Sequence, residues 1–222
     1  MQHPRTLLGA LLVSIVMAAG FPAPAAAIPL VLFPTDDDRG LDALLDGSYL
    51  CCQTDDGITN ATITTFEERP ALEFALGAVP AGSTISSATL TLFIATAPLV
   101  DNTGHVHGYA GDGVITASDL TVDNFLTDFQ VTAAGPLTIP LDPSFIQALL
   151  DLDEAFAGFA LRNVTVPQGF FAFWTVDFFD EELHPRLTLE LAETQPIPEP
   201  GSIALLVSGL AAGGSYRWRR RH

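Results

Sequence analysis

The chain has 222 residues, with 9 arginines and no lysine against 26 acids, a formal net charge of −17. Such a field repels phosphate backbones and anionic lipid, which argues against a nucleic-acid partner and favours solubility and cation binding. With the two apolar ends set aside, roughly 170 residues remain, enough for one domain around a single core.

The first 27 residues read as a secretory signal peptide: Arg5 supplies the charged start, Leu7 to Ala19 the apolar stretch, and Ala25-Ala26-Ala27 a small-residue site with cleavage expected after Ala27. The apolar stretch is short for a membrane anchor. Beyond it, only Arg39, Arg69, Arg162 and Arg186 face all 26 acids, which lie between Asp36 and Glu199, so the middle carries about −22.

Residues 28–192 form the domain, and its hydrophobic pattern is that of strands. The first is expected near Leu30 to Phe33. Asp36 and Asp38, with Asp55 and Asp56, offer carboxylate oxygens for a structural calcium ion at one end of a sandwich, the one cofactor suggested; a solvated acidic surface is the plain alternative. Cys51 and Cys52 are adjacent and cannot staple distant strands. They leave a vicinal disulfide, bridges to other chains, or two reduced side chains.

A strand is expected from Ile58 to Phe66, and Leu72, Phe74 and Leu76 alternate with polar or small neighbours in the next. Ala88, Leu90, Leu92 and Ile94 repeat that period against Thr89, Thr91 and Phe93. His105 and His107, two apart in a strand running to Tyr109, share a face and offer two ligands to a transition metal with no third evident; surface or core packing is the plainer reading. The segment after Tyr109 partly resembles a dockerin-type calcium loop, with Asp112, Gly113, Ile115 and Asp119 at positions five, six, eight and twelve. Gly108 and Ala110 stand where oxygen ligands are required, so a β-turn followed by a polar strand is expected instead.

Leu137 to Leu141 reads as a strand. Asp142 as cap, Pro143 at the first helical position and the stripe Phe145, Ile146, Leu149 and Leu150 then predict one short helix. Strands are expected over Gly158 to Arg162 and Phe170 to Phe179. In the latter, Phe171 and Phe173 fill the core while Trp174 faces the other way, where an indole can stack on a sugar ring; core packing of this aromatic group is the plainer reading. Leu187, Leu189 and Leu191 form the closing strand. Many short strands with one helix predict an all-β fold, a two-sheet jelly-roll-like sandwich.

No nucleophile elbow, H-E-x-x-H, P-loop or dinucleotide fingerprint occurs, and 26 acids make any proposed glycosidase pair unspecific. A non-catalytic protein is therefore expected.

Two stretches carry resemblances. Arg69-Pro70-Ala71-Leu72-Glu73-Phe74-Ala75-Leu76, then Val79 to Leu90, then His184-Pro185-Arg186-Leu187-Thr188-Leu189 resemble disaggregatase-related (DNRLRE-type) domains, which implies a sandwich like a carbohydrate-binding module. Residue 75 is alanine where that family has aspartate. The end of the chain has a Pro-rich linker, 193–200, closing on Pro198-Glu199-Pro200; an apolar run, 201–216; and a basic end, 217–222, with Arg217, Arg219, Arg220 and Arg221. Sixteen helical residues span about 24 Å, a short transmembrane helix whose arginines stay cytoplasmic. In order and spacing this tail resembles the PEP-CTERM sorting signal of Gram-negative bacteria, which implies cutting near Pro198 to Pro200 by an exosortase.

The expected protein is thus exported across the inner membrane to the cell surface or extracellular matrix. Its partners are the secretion machinery, the exosortase, the membrane through the tail before processing, and extracellular polysaccharide. A purely structural or adhesive surface protein is the alternative, and a secreted polysaccharide hydrolase a more remote one.

Overall fold

A computed structural model describes residues 29–53, 57–63, 65–96, 101–165 and 168–192. The leader, the linker and tail, Asp55 and Asp56 lie outside the described residues.

The described part is an all-β fold of twelve strands and one α-helix, and every strand pairing is antiparallel. One sheet runs β9 (Gly135–Leu141), β6 (Thr84–Thr96), β12 (Arg186–Ala192) and β1 (Pro29–Leu32). The other runs β8 (Phe125–Val131), β7 (Asn102–Gly111), β10 (Phe156–Asn163), β5 (Phe66–Ala75), β2 (Pro34–Asp42) and β3 (Leu50–Gln53). Two further strands, β4 (Gly57–Ile63) and β11 (Gln168–Trp174), join them: β11 takes the end of β6 beyond β12, and β4 takes the start of β5 beyond β10. The chain itself changes sheets at Phe33, between β1 and β2.

Period-2 alternation fixes which face meets the core. Ala88, Leu90, Leu92 and Ile94 of β6 are buried, as are Leu72 and Phe74 of β5, Ala157, Phe159 and Leu161 of β10, Phe171 and Phe173 of β11, and Leu187 and Leu189 of β12. Each fully buried Leu or Phe contributes about 1.5–3 kcal/mol. The helix, α1 (Pro143–Asp151), starts as its sequence requires: the Asp142 carboxylate accepts the Ser144 N–H, Pro143 opens the first turn, and Ile146 and Leu149 plug one end of the core.

Three expected segments are corrected. The single strand over 58–66 is two strands, β4 ending at Ile63 and β5 starting at Phe66. The strand from Phe170 stops at Trp174, and residues 176–179 turn. The polar strand expected after Asp112 is an irregular loop ending in a 3-10 turn at Asp119–Thr121. Strands β2, β3 and β8 were not expected at all.

A second, smaller cluster covers the outer face of the β8-to-β3 sheet. Ala71, Tyr109, Ile115, Leu120 and Ala160 pack there beneath Tyr49, Cys51, Cys52 and Val122. The two cysteines are bonded to each other, which selects the vicinal disulfide among the three options. Gly158 is paired with Tyr109, and the phenol ring lies over it so closely that a Cβ would stand 2.3 Å from the ring.

Candidate functional site

The most exposed aromatic side chain among the described residues, Phe179, lies just past the end of β11. Phe171 and Phe173 point into the core, so Trp174 emerges on the opposite face, as its parity dictates. Its indole stacks on Phe178 at 4.0 Å and 15° between planes, and Phe178 meets Phe179 at 4.4 Å. Phe179 is 88% exposed. Three successive rings thus form a step whose outer ring, Phe179, is exposed while Trp174 and Phe178 are half-buried, with Asp177, Asp180 and Glu181 on the same turn.

Four bonds hold that turn. Phe178 N–H donates to Thr175 O, Val176 N–H to the Asp37 carboxylate at 2.8 Å, and Arg186 to Glu182 O at 3.1 Å. The His184 ring nitrogen Nε2 lies 2.7 Å from Phe178 O, and Phe33 packs edge-on against the His184 ring. Arg186 in turn lies over the Phe93 ring. These contacts tie the aromatic step to the ends of the neighbouring strands.

The acidic run expected as calcium ligands lies within strand β2. Antiparallel pairing places Asp36 beside Glu73 and Asp37 beside Leu72, so the two carboxylates leave opposite faces. Asp37 is buried and holds Val176; Asp36 accepts the Ile115 N–H at 2.8 Å and holds the loop after Asp112. Burial pushes the Asp37 carboxyl up to about 7, opposed by the Val176 hydrogen bond and reinforced by Asp177, Asp36 and Asp38. Burial, Asp36 and Asp177 raise Asp38 to about 6. Among the described residues no three His, Cys, Asp or Glu side chains are grouped to hold a metal ion.

The dockerin-like residues serve the loop's own backbone. Asp112 accepts the Val114 N–H, Asp119 accepts Thr116 N–H and hydroxyl, and Gly113 N–H donates to Glu73 at 2.6 Å. Glu73 is raised by burial, against the lowering effect of Gly113 and of the nearby Tyr109.

A second set of polar groups lies on the outer face of the β8-to-β3 sheet, and among them both ring nitrogens of His107 have no hydrogen-bond partner among the described residues. His105 is paired with Arg162 across β7 and β10, and Phe125 of β8 lies edge-on to His105 at 5.0 Å and to His107 at 6.0 Å. Glu67 binds Arg69 at 2.8 and 3.2 Å, the Tyr49 hydroxyl at 2.9 Å and Arg162 Nε at 3.3 Å. The two histidines share a face, as their spacing predicts.

A groove of about 540 Å³ between α1 and the β5–β6 connection is lined by Gln147, Asp151, Asp153, Glu154 and Phe156. Gln147 is already committed there: its Oε1 accepts the Ile85 N–H and its Nε2 donates to Asp151.

Two antiparallel sheets and one helix define an all-β, sandwich-like fold. No protein-family model matches the chain, and no curated protein matches it.

Proposed function

We propose that this protein is exported by its leader, cut by an exosortase at the Pro198-Glu199-Pro200 tail, and displayed at the surface or in the matrix of a Gram-negative bacterium. There its jelly-roll-like sandwich binds neutral polysaccharide without cleaving it. The observation that carries the binding is the prebuilt step of Trp174, Phe178 and Phe179 beside Asp177, Asp180 and Glu181. Exposed rings take the apolar faces of pyranoses, and carboxylates accept hydrogen bonds from hydroxyls. The strongly acidic domain suits a neutral polymer, since it repels an anionic one. A turn already held by Asp37 and His184 loses little further freedom on binding.

The test is migration of the intact protein through gels containing the producer's own exopolysaccharide. Retardation that disappears in Trp174→Ala and Phe179→Ala supports the reading; free migration through several polymers sinks it.

The adhesive alternative is favoured by a different observation. Leu44, Leu50 and Val114 are exposed on the β2–β3 connection, on β3 and on the neighbouring loop. Self-association in sedimentation without any sugar preference is its signature.

A further inference from the structure

Apart from the aromatic step, we propose that the outer face of the β8-to-β3 sheet holds a tetrahedral oxyanion, the sulfate or phosphate ester of a saccharide, between Arg162, His105 and His107, with Phe125 as its apolar wall.

The distribution of charge is the first argument. The domain between Asp36 and Glu199 has four arginines and three histidines, and Arg69, Arg162, His105 and His107 all lie on this one face. Composition gives no reason for that concentration. Glu67 pairs with both guanidinium groups, so that trio carries one positive charge, with Asp128 and Asp123 facing the two histidines beside it.

Unfilled hydrogen bonding is the second. His107 is 6% exposed, and neither ring nitrogen has a hydrogen-bond partner among the described residues. Leaving such a group unpaired inside a fold costs on the order of 1–3 kcal/mol, so a ligand that fills it is favoured. The Arg162 side chain is 45% exposed, and its only polar contact among the described residues runs through Nε. Its terminal fork is the side-chain geometry that grips oxyanions.

The chemical class follows from the arrangement. Arg162, His105 and His107 approach from two strands, and three donors suit the three oxygens of an ester sulfate or phosphate better than the two of a carboxylate. Asp123 and Asp128 border the patch, Asp128 directly opposite His105 across β8. These acids and the net charge repel a continuous polyanion, so the ligand is an isolated ester on an otherwise neutral sugar. The Phe125 ring, 52% exposed, supplies the surface for that sugar.

Isothermal titration of the intact protein with glucose 6-sulfate, glucose 6-phosphate, glucuronate, glucose and sodium sulfate tests this. The two esters should bind, with the His105 and His107 ring protons shifting in parallel NMR titrations. Arg162→Gln should weaken binding at least tenfold, and Arg162→Lys less. Phe179→Ala should bind the esters as wild type does, which separates this site from the aromatic step whatever the fate of that proposal. Equal shifts of the His105 and His107 ring protons with glucose, with glucuronate or with bare sulfate overturn, respectively, the anion, the tetrahedral or the saccharide part. Wild-type affinity in Arg162→Gln overturns the site.

Discussion

The Asp37 carboxylate accepts the Val176 backbone N–H at 2.8 Å, joining positions 139 residues apart in sequence. This bond connects an acid inside a strand to the turn that displays the aromatic step. Breaking it removes one of the four bonds that hold that turn.

Stability should therefore fall as pH rises from about 4 to 7. Asp37, raised from 3.8 to about 7, and Asp38, raised to about 6, keep protons in the folded state that the unfolded chain has already released. Each contributes its stabilisation fully below the unfolded value and loses it as pH climbs through the folded one, at up to about 1.4 kcal/mol per pH unit. Asp37→Asn keeps a carbonyl acceptor for Val176 without the charge, so it should raise the melting temperature at pH 8 and flatten the profile. Thermal melts between pH 4 and 8 check both; a wild-type melting temperature that rises from pH 5 to 7 contradicts the argument.

Two phenylalanines near the end of β11 should part company on truncation. Phe171 is fully buried, and its replacement by alanine should cost about 3–5 kcal/mol. Phe179→Ala should stay within about 0.5 kcal/mol of wild type while abolishing retardation in polysaccharide gels. Urea unfolding and gel migration on the same samples give both answers.

Gly158→Ala should destabilise the outer face by about 1–3 kcal/mol, because the new methyl meets the Tyr109 ring. Combined with Tyr109→Ala, the loss should be smaller than the sum of the two single losses, since the clash has gone. Additive losses in a double-mutant cycle would show that the ring does not rest on the glycine.

The intact mass of protein recovered from medium and envelope should correspond to a chain cut after Ala27 and near Pro200. Glu199→Ala should retain the tail. A wild-type mass that includes Arg221 and His222 refutes processing and leaves a permanent anchor.

Strand β6 was legible because Ala88, Leu90, Leu92 and Ile94 follow the pleat without exception, and α1 because cap, proline and stripe agree. The facing of Trp174 followed from parity alone. Strand β2 was hidden because its buried positions include Asp37 and Asp38, which break the apolar alternation a sequence reading depends on. The turn after Trp174 carries no glycine or proline to announce it. Asp37, which captures Val176, lies 139 residues away, so the local pattern extends the strand through Phe178 and Phe179. β3 is four residues long and too short for any period. β8 did carry a signal, with Phe129 and Val131 buried two apart.

The pairing of β1 with β12 sets Leu30 opposite Leu189, the first described strand against the last. A chain emerging from its amino end cannot complete that pairing until nearly the whole domain has been delivered, and contacts of such sequence separation form slowly. Leu30 and Val31 wait, edge unpaired, for Thr188 and Leu189. Final closure of the first sheet is thus timed by the arrival of the carboxyl end, so a chain truncated before Arg186 would lack the partner of its own first strand.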